Sequence, residues 1–318
     1  MYRYVIKRLL LMIPVIIGVS FLVFFIMDMA PGDAVDVLAP EGATAEDLEA
    51  IRHDLGLDKP VVVRYIDYMA GMLHGDLGVS YISKTDVFQT YVEKLPATIK
   101  LSFASILISV ILSVPLGIYS ATRQGTIQDN ISMAFAMIGL AMPHFWLGLL
   151  LIIVFSLKLQ WFPSGGDETL SSIVLPAITI GTGLMATLTR TTRSSMLDVL
   201  KQEYLRTARA KGIPEKVVVM SHALRNALIP IITIIGTQLA GVLGGSVLTE
   251  TVFAWPGVGR LIVDSLNMRD TPLVTGSIIM TTILLSFVLL LVDLLYAAVD
   301  PRIKAQYTTS KRGKKKHE

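Results

Sequence analysis

Apolar residues gather into six runs free of Asp, Glu, Lys and Arg, at 9–27, 101–122, 130–157, 169–189, 227–249 and 273–292. Each is close to the roughly 20 residues an α-helix needs to cross a bilayer. The pattern predicts an all-α integral membrane protein with six transmembrane helices. A mean hydropathy of +0.62, with 53% hydrophobic and 17% charged residues, agrees with that class. The first run follows Arg3, Lys7 and Arg8, as a signal peptide would. Its nineteen residues exceed the about 7–15 of a signal-peptide core, so it is read as a retained anchor.

The polar segments between the runs have helical patterns of their own. Residues 28–94 hold thirteen acids and five bases. A segment this long is expected to be structured. Thr44 with Asp47 forms a capping-box pattern, Leu48, Ile51 and Leu55 recur at helical spacing, and Gly56 supplies a stop. A helix is predicted over 45–55. Pro60 opens a second, with Val62, Ile66, Met69 and Leu73 on one face, ended by HGDLG at 74–78. This pair is either a cap kept soluble by its acids or a docking surface for a partner outside the cell. The chain has no cysteine, so packing alone must hold the segment.

Charge sets the orientation. The amino terminus, Arg123, the 190–226 loop and the tail together carry 19 Lys and Arg, whereas the two short loops on the opposite side carry three, Lys158, Arg260 and Arg269. By the positive-inside rule both termini and the 190–226 loop are cytoplasmic.

That loop is the most densely charged internal segment, with eight bases and three acids. Ser195 with Asp198 reads as a helix start. Glu203–Lys211 is a short helical run that Gly212 can end, and Pro214 with Glu215 opens another helix toward Asn226. Arg206, Arg209 and Lys211 alternate with the small Thr207, Ala208 and Ala210, which suits an exposed surface that nests in a soluble partner's cleft. A purely solvated charged helix is the competing reading.

Chemistry is sparse. The chain has no HExxH, GxSxG or GxxxxGK[ST], so metalloprotease, hydrolase and nucleotide-binding readings lack their residues. If ATP drives the protein, another chain binds it. An ion-coupled carrier usually needs ionisable groups inside its spans, where each costs about 2.5–3.5 kcal/mol, and the six runs hold no Asp, Glu, Lys or Arg. His144, after Pro143, could line a path, although a structural histidine at a proline break explains it as well. His53 and His74 read as surface residues, and no metal site is expected. Gly236, Ala240 and Gly244, with Gly241 and Gly245 offset by one, permit close helix approach, either within the chain or to another subunit.

EYLRTARAKG at 203–212 followed by HALRNALIP at 222–230 resembles the cytoplasmic loop of ABC importer permeases of the dipeptide/oligopeptide/nickel family. The resemblance extends to PGD at 31–33, LGLDKP at 55–60, GDLGVSY at 75–81, FAWPGVGR at 253–260 and VDPR at 299–302. With Gly212 as the signature glycine, Arg206, Thr207 and Ala208 take the Glu-Ala-Ala positions, while Glu203 supplies the acid and the proline comes late, at Pro230. The resemblance implies a type I permease fold: an anchor with a helical outer segment over 1–93, a permease core over 94–300 with its coupling loop at 190–226, and a basic tail over 301–318. It further implies a multi-pass protein of the cell membrane that is not itself an enzyme and holds no cofactor. A second permease would pair with it, and two ATPases that bind ATP and Mg would dock on Glu203, Tyr204, Arg206, Thr207, Ala208, Arg209, Ala210, Lys211 and Gly212. An extracytoplasmic solute-binding protein would deliver peptide, with nickel or a metal chelate as the alternative cargo. Nucleic acid has no part. An ion-coupled carrier and a membrane-embedded enzyme are the rivals from other classes.

Overall fold

A computed structural model describes residues 2–30, 32 and 34–299; Pro31 and Asp33 of the PGD motif and the basic tail over 301–318 lie outside them. Among the described residues the only strand pairing is an isolated bridge between Val79 and Asp86. The first helices are α1 (Tyr2–Met29), α2 (Ala34–Leu38), α3 (Ala45–Asp54), α4 (Val61–Leu73) and α5 (Val87–Thr122). Next come α6 (Ile127–Ala141), α7 (His144–Leu151, extended by π-helical turns Ile152–Lys158) and α8 (Val174–Leu200). The charged segment forms α9 (Glu203–Ala210) and α10 (Glu215–Val217), which runs through π-helical turns Val218–Ala223 into α11 (Leu224–Gly245). Helices α12 (Val247–Val252), α13 (Val258–Asn267) and α14 (Thr271–Val299) follow.

Five stretches, Val5–Met29, Val87–Thr122, Leu170–Leu200, Glu215–Gly245 and Thr271–Leu295, are long and apolar enough to cross a membrane. The expected third span, 130–157, is not one rod. Its halves, Ile127–Ala141 and His144–Lys158, meet at 97°, and counting the bent pair as one span gives six. Pro143 is the cause. The residue before a proline is driven from the α region, and Met142 is extended at φ −94, ψ 129. The predicted fifth span also stops early, at Gly245, and Val247–Val252 forms the separate α12.

The chain divides into two compact units. One holds Lys100–Leu243 with the segment from Phe287, and α8 is its most enclosed helix, with fourteen buried residues from Leu175 to Met196. Asp129, near the start of α6, takes two hydrogen bonds from Arg193 of α8, 2.8 Å from Nε and 2.6 Å from Nη2. The Ser120 hydroxyl and the Gly125 amide donate to the same carboxylate.

The other unit holds Tyr2–Ile99 and Gly244–Ser286. Here two buried acids knit segments distant in sequence. Glu250, fully buried, accepts from Thr98 Oγ1 at 2.9 Å, Ser246 Oγ at 2.8 Å and the Arg260 amide at 3.1 Å. The last of these satisfies a free amide in the first turn of α13. Asp270 accepts from the Ser80 hydroxyl and from the amides of Tyr81 and Leu273, which joins the 78–86 turn to the start of α14.

The 28–94 segment forms the helices its pattern predicts. Thr44 and Asp47 make the reciprocal capping box of α3, Pro60 precedes α4, and Gly56 and Gly75 adopt φ +66 and +84. The short α2 was not anticipated from the pattern.

Candidate docking hairpin

The charged hairpin is built from the end of α8, helix α9 and the start of α11. The predicted helix start at Ser195 is corrected: Ser195 lies inside α8, which continues to Leu200. Helix α9 begins instead after Gln202, whose extended backbone, φ −75 and ψ 142, turns the chain. It is two turns long, too short to persist on its own. Packing holds it. Leu205 is fully buried and Ala208 is 9% exposed, in one apolar cluster with Met196, Val218, Val219 and Ala223.

Its far end closes as a Schellman cap. The Gly212 amide donates to Arg209 O at 2.9 Å and the Ile213 amide to Ala208 O at 3.3 Å, with Gly212 at φ +76 and Ile213 packed on the apolar cluster. A Cβ at Gly212 would meet nothing within 4 Å, so backbone conformation alone demands glycine there.

Polar ties fix both ends. The Asn226 amide donates to the Tyr204 hydroxyl at 2.6 Å, and that hydroxyl donates to His222 O at 3.3 Å. Arg209 grips Glu215 with Nε at 3.0 Å and Nη2 at 2.9 Å. Such an exposed pair contributes at most about 1 kcal/mol to stability, so its main effect is on the geometry of the turn.

One of the residues expected at the docking face is buried. Ala208 faces the chain's own hairpin and not the outside, because it shares the inner stripe of α9 with Leu205. Glu203, Tyr204, Arg206, Thr207, Arg209, Ala210, Lys211 and Gly212 are exposed. Glu203 and Arg206 pair with each other at 3.1 Å.

The glycine stripe divides. A Cβ on Gly236 would stand 2.8 Å from Val292 Cγ1 and one on Gly244 would stand 2.5 Å from Leu285 Cδ1, and Ala240 is buried. These three pack within the chain, while a Cβ at Gly241 or Gly245 would meet nothing within 4 Å. His144 is exposed and its imidazole lies flush on Gly183 of α8, where any side chain would collide with the ring.

Sequence reasoning missed Glu250, Asp270 and the Asp129–Arg193 pair. Each acid flanks an apolar run, where it reads as a solvated end. The signal available was FAWPGVGR, since Gly257 leaves no room for a Cβ beside the Glu250 carboxylate.

Comparison with known proteins agrees with this architecture. Residues 113–305 match the family described as binding-protein-dependent transport system inner membrane component, and residues 1–102 match the N-terminal region of such membrane components. The glutathione transport system permease protein GsiC of Pectobacterium atrosepticum is 43% identical over 96% of this chain and 99% of its own. The oligopeptide transport system permease protein AppB of Bacillus subtilis is 42% identical over 96% of this chain and 100% of its own. Among solved structures, a chain of the inward-facing MetNI methionine ABC transporter superposes with a TM-score of 0.53 at 20% identity, over 67% of this chain and 97% of that one. That likeness gives the fold alone. A six-span, all-helical fold of ABC importers and a family match along nearly the whole chain converge: this chain belongs to the binding-protein-dependent transport system inner membrane component family, the permease subunits of ABC importers.

Proposed function

We propose that this permease carries di- or oligopeptides, in a complex with a second permease, two ATPase subunits and a solute-binding protein outside the cell. The observation that carries the peptide reading is the similarity, above 40% identity over 96% of the chain, to permeases named for glutathione and oligopeptide transport. Glutathione is itself a small peptide.

In this reading ATP and Mg are bound by the partner ATPases. They grip the outer face of α9, where Arg206, Thr207, Ala210 and Lys211 are exposed on a helix anchored beneath by Leu205 and Ala208. A rigid handle transmits force; a solvated loop would absorb it. Both termini and this hairpin are cytoplasmic, on the strength of the basic-residue asymmetry. Residues 1–93 form the anchor and outer segment, 94–300 the permease core and 301–318 the tail. Glu46, Asp47 and Glu49, on the solvent face of α3, form part of the surface for the binding protein.

The test is uptake of a labelled peptide into vesicles bearing the whole assembly. Unlabelled peptides should compete and nickel should not. A signal insensitive to peptide and saturable by nickel would replace peptide with a metal cargo.

A further inference from the structure

The outer helix α4 is amphipathic in a way its neighbour α3 is not. Tyr65, Tyr68 and Met69 turn toward α1. Tyr65 stacks edge-on against Phe24 at 5.6 Å and its hydroxyl reaches Ser20 Oγ at 3.0 Å and Ile17 O at 3.3 Å. Met69 approaches Ser20 at 3.5 Å. Beside Met69, on the same face of α4, lies an exposed apolar stripe, Val62, Ile66 and Leu73, at 53%, 59% and 81% exposure. Asp67, beside that stripe, is tied to Lys59 at 3.3 Å, and Arg64 is tied to Asp28.

The contacts with α1 fix how deep α4 lies. Asp28 is the first charged residue after the apolar run that begins at Leu9, so it marks the water-facing edge of that span. Phe24 and Ser20 lie four and eight residues before it, about 6 and 12 Å down the helix at 1.5 Å per residue. An amphipathic helix lying in a membrane interface sits roughly 5–10 Å deep. Apolar residues of α1 within the same stretch are exposed as well, Leu22 at 58% and Ile26 at 63%.

We propose that α4 is an interfacial helix, sunk in the bilayer leaflet at the C-terminal end of α1, with lipid acyl chains covering Val62, Ile66 and Leu73. Both charged residues of α4 are paired, Arg64 with Asp28 and Asp67 with Lys59 just before the helix. Helix α3, with Glu46, Asp47 and Glu49 exposed, stays in water. The two outer helices therefore have different occupants, lipid for α4 and a soluble partner or solvent for α3.

The chain has no cysteine, so single cysteines can be spin-labelled without background. Labels at Ile66, Val62 and Glu46 would be placed in the assembled transporter in phospholipid vesicles, and collision rates with oxygen and with a water-soluble nickel chelate compared. Ile66 and Val62 should show an oxygen-to-chelate ratio several-fold above that of Glu46, unchanged by saturating binding protein. Chelate access at Ile66 and Val62 equal to that at Glu46 would overturn the proposal. So would shielding of both positions from both reagents, which would mean that protein covers the stripe.

Discussion

Ala208 and Ala210 are two positions apart on α9, and they make opposite predictions. Ala208 packs inside the hairpin, so Ala208→Glu would bury an unpaired carboxylate and distort α9 itself. Ala210 is exposed, so Ala210→Glu leaves the hairpin intact and obstructs only what docks on it. In pull-down, Ala210→Glu should weaken ATPase association by about tenfold or more while the permease inserts and melts normally. Wild-type association would assign that face to solvent. Gly212 separates conformation from contact in a similar way. Its left-handed backbone has open space around it, so Gly212→Val should cost about 1–2 kcal/mol in strain and reduce ATPase binding. Gly212→Asn, which tolerates that conformation, should largely retain it. Equal loss in both would mean that the glycine is needed for a close approach by the partner instead.

At the scale of elements, local signals were legible where they sat within a few residues of each other. The capping box of α3, the proline before α4 and the glycine after α9 each decide a helix end through bonds spanning six residues or fewer. The 97° bend after Ala141 was foreshadowed by Pro143, but a hydropathy run does not register direction, so an apolar stretch interrupted by one proline looked like a single span. The face Ala208 presents depends on which side α8 and α11 approach from, a tertiary fact. The long-range bonds of buried Glu250 and Asp270, to Thr98 and Ser80, were illegible for the same reason, because those partners are remote in sequence.

The Asp129–Arg193 pair tests this tertiary layer. Asp129 is 3% exposed and Arg193 26%. Asp129→Ala strands a mostly buried guanidinium and should lower the stability of the permease in nanodiscs by about 3–5 kcal/mol, read from thermal unfolding. Replacing both partners together, with Asp129→Leu and Arg193→Met, should recover much of that loss. A single change without effect would show that water already solvates the pair.

For the whole molecule, the proposed division of labour rests on the family the chain belongs to and on what the chain presents. Its apolar runs hold no acid or base to couple an ion gradient, and its sequence has no phosphate-binding loop. What it presents is a two-turn helix braced from below and held at both ends. In the proposed reading, the energy for transport enters through that helix from a partner. The most direct measurement is uptake of a labelled peptide into vesicles carrying the complete assembly and its binding protein, with ATP on the side of α9 and ionophores collapsing every ion gradient. Uptake should persist with ionophores, stop without ATP, and fall with Ala210→Glu. Uptake that continued without ATP and followed an imposed ion gradient would contradict the account.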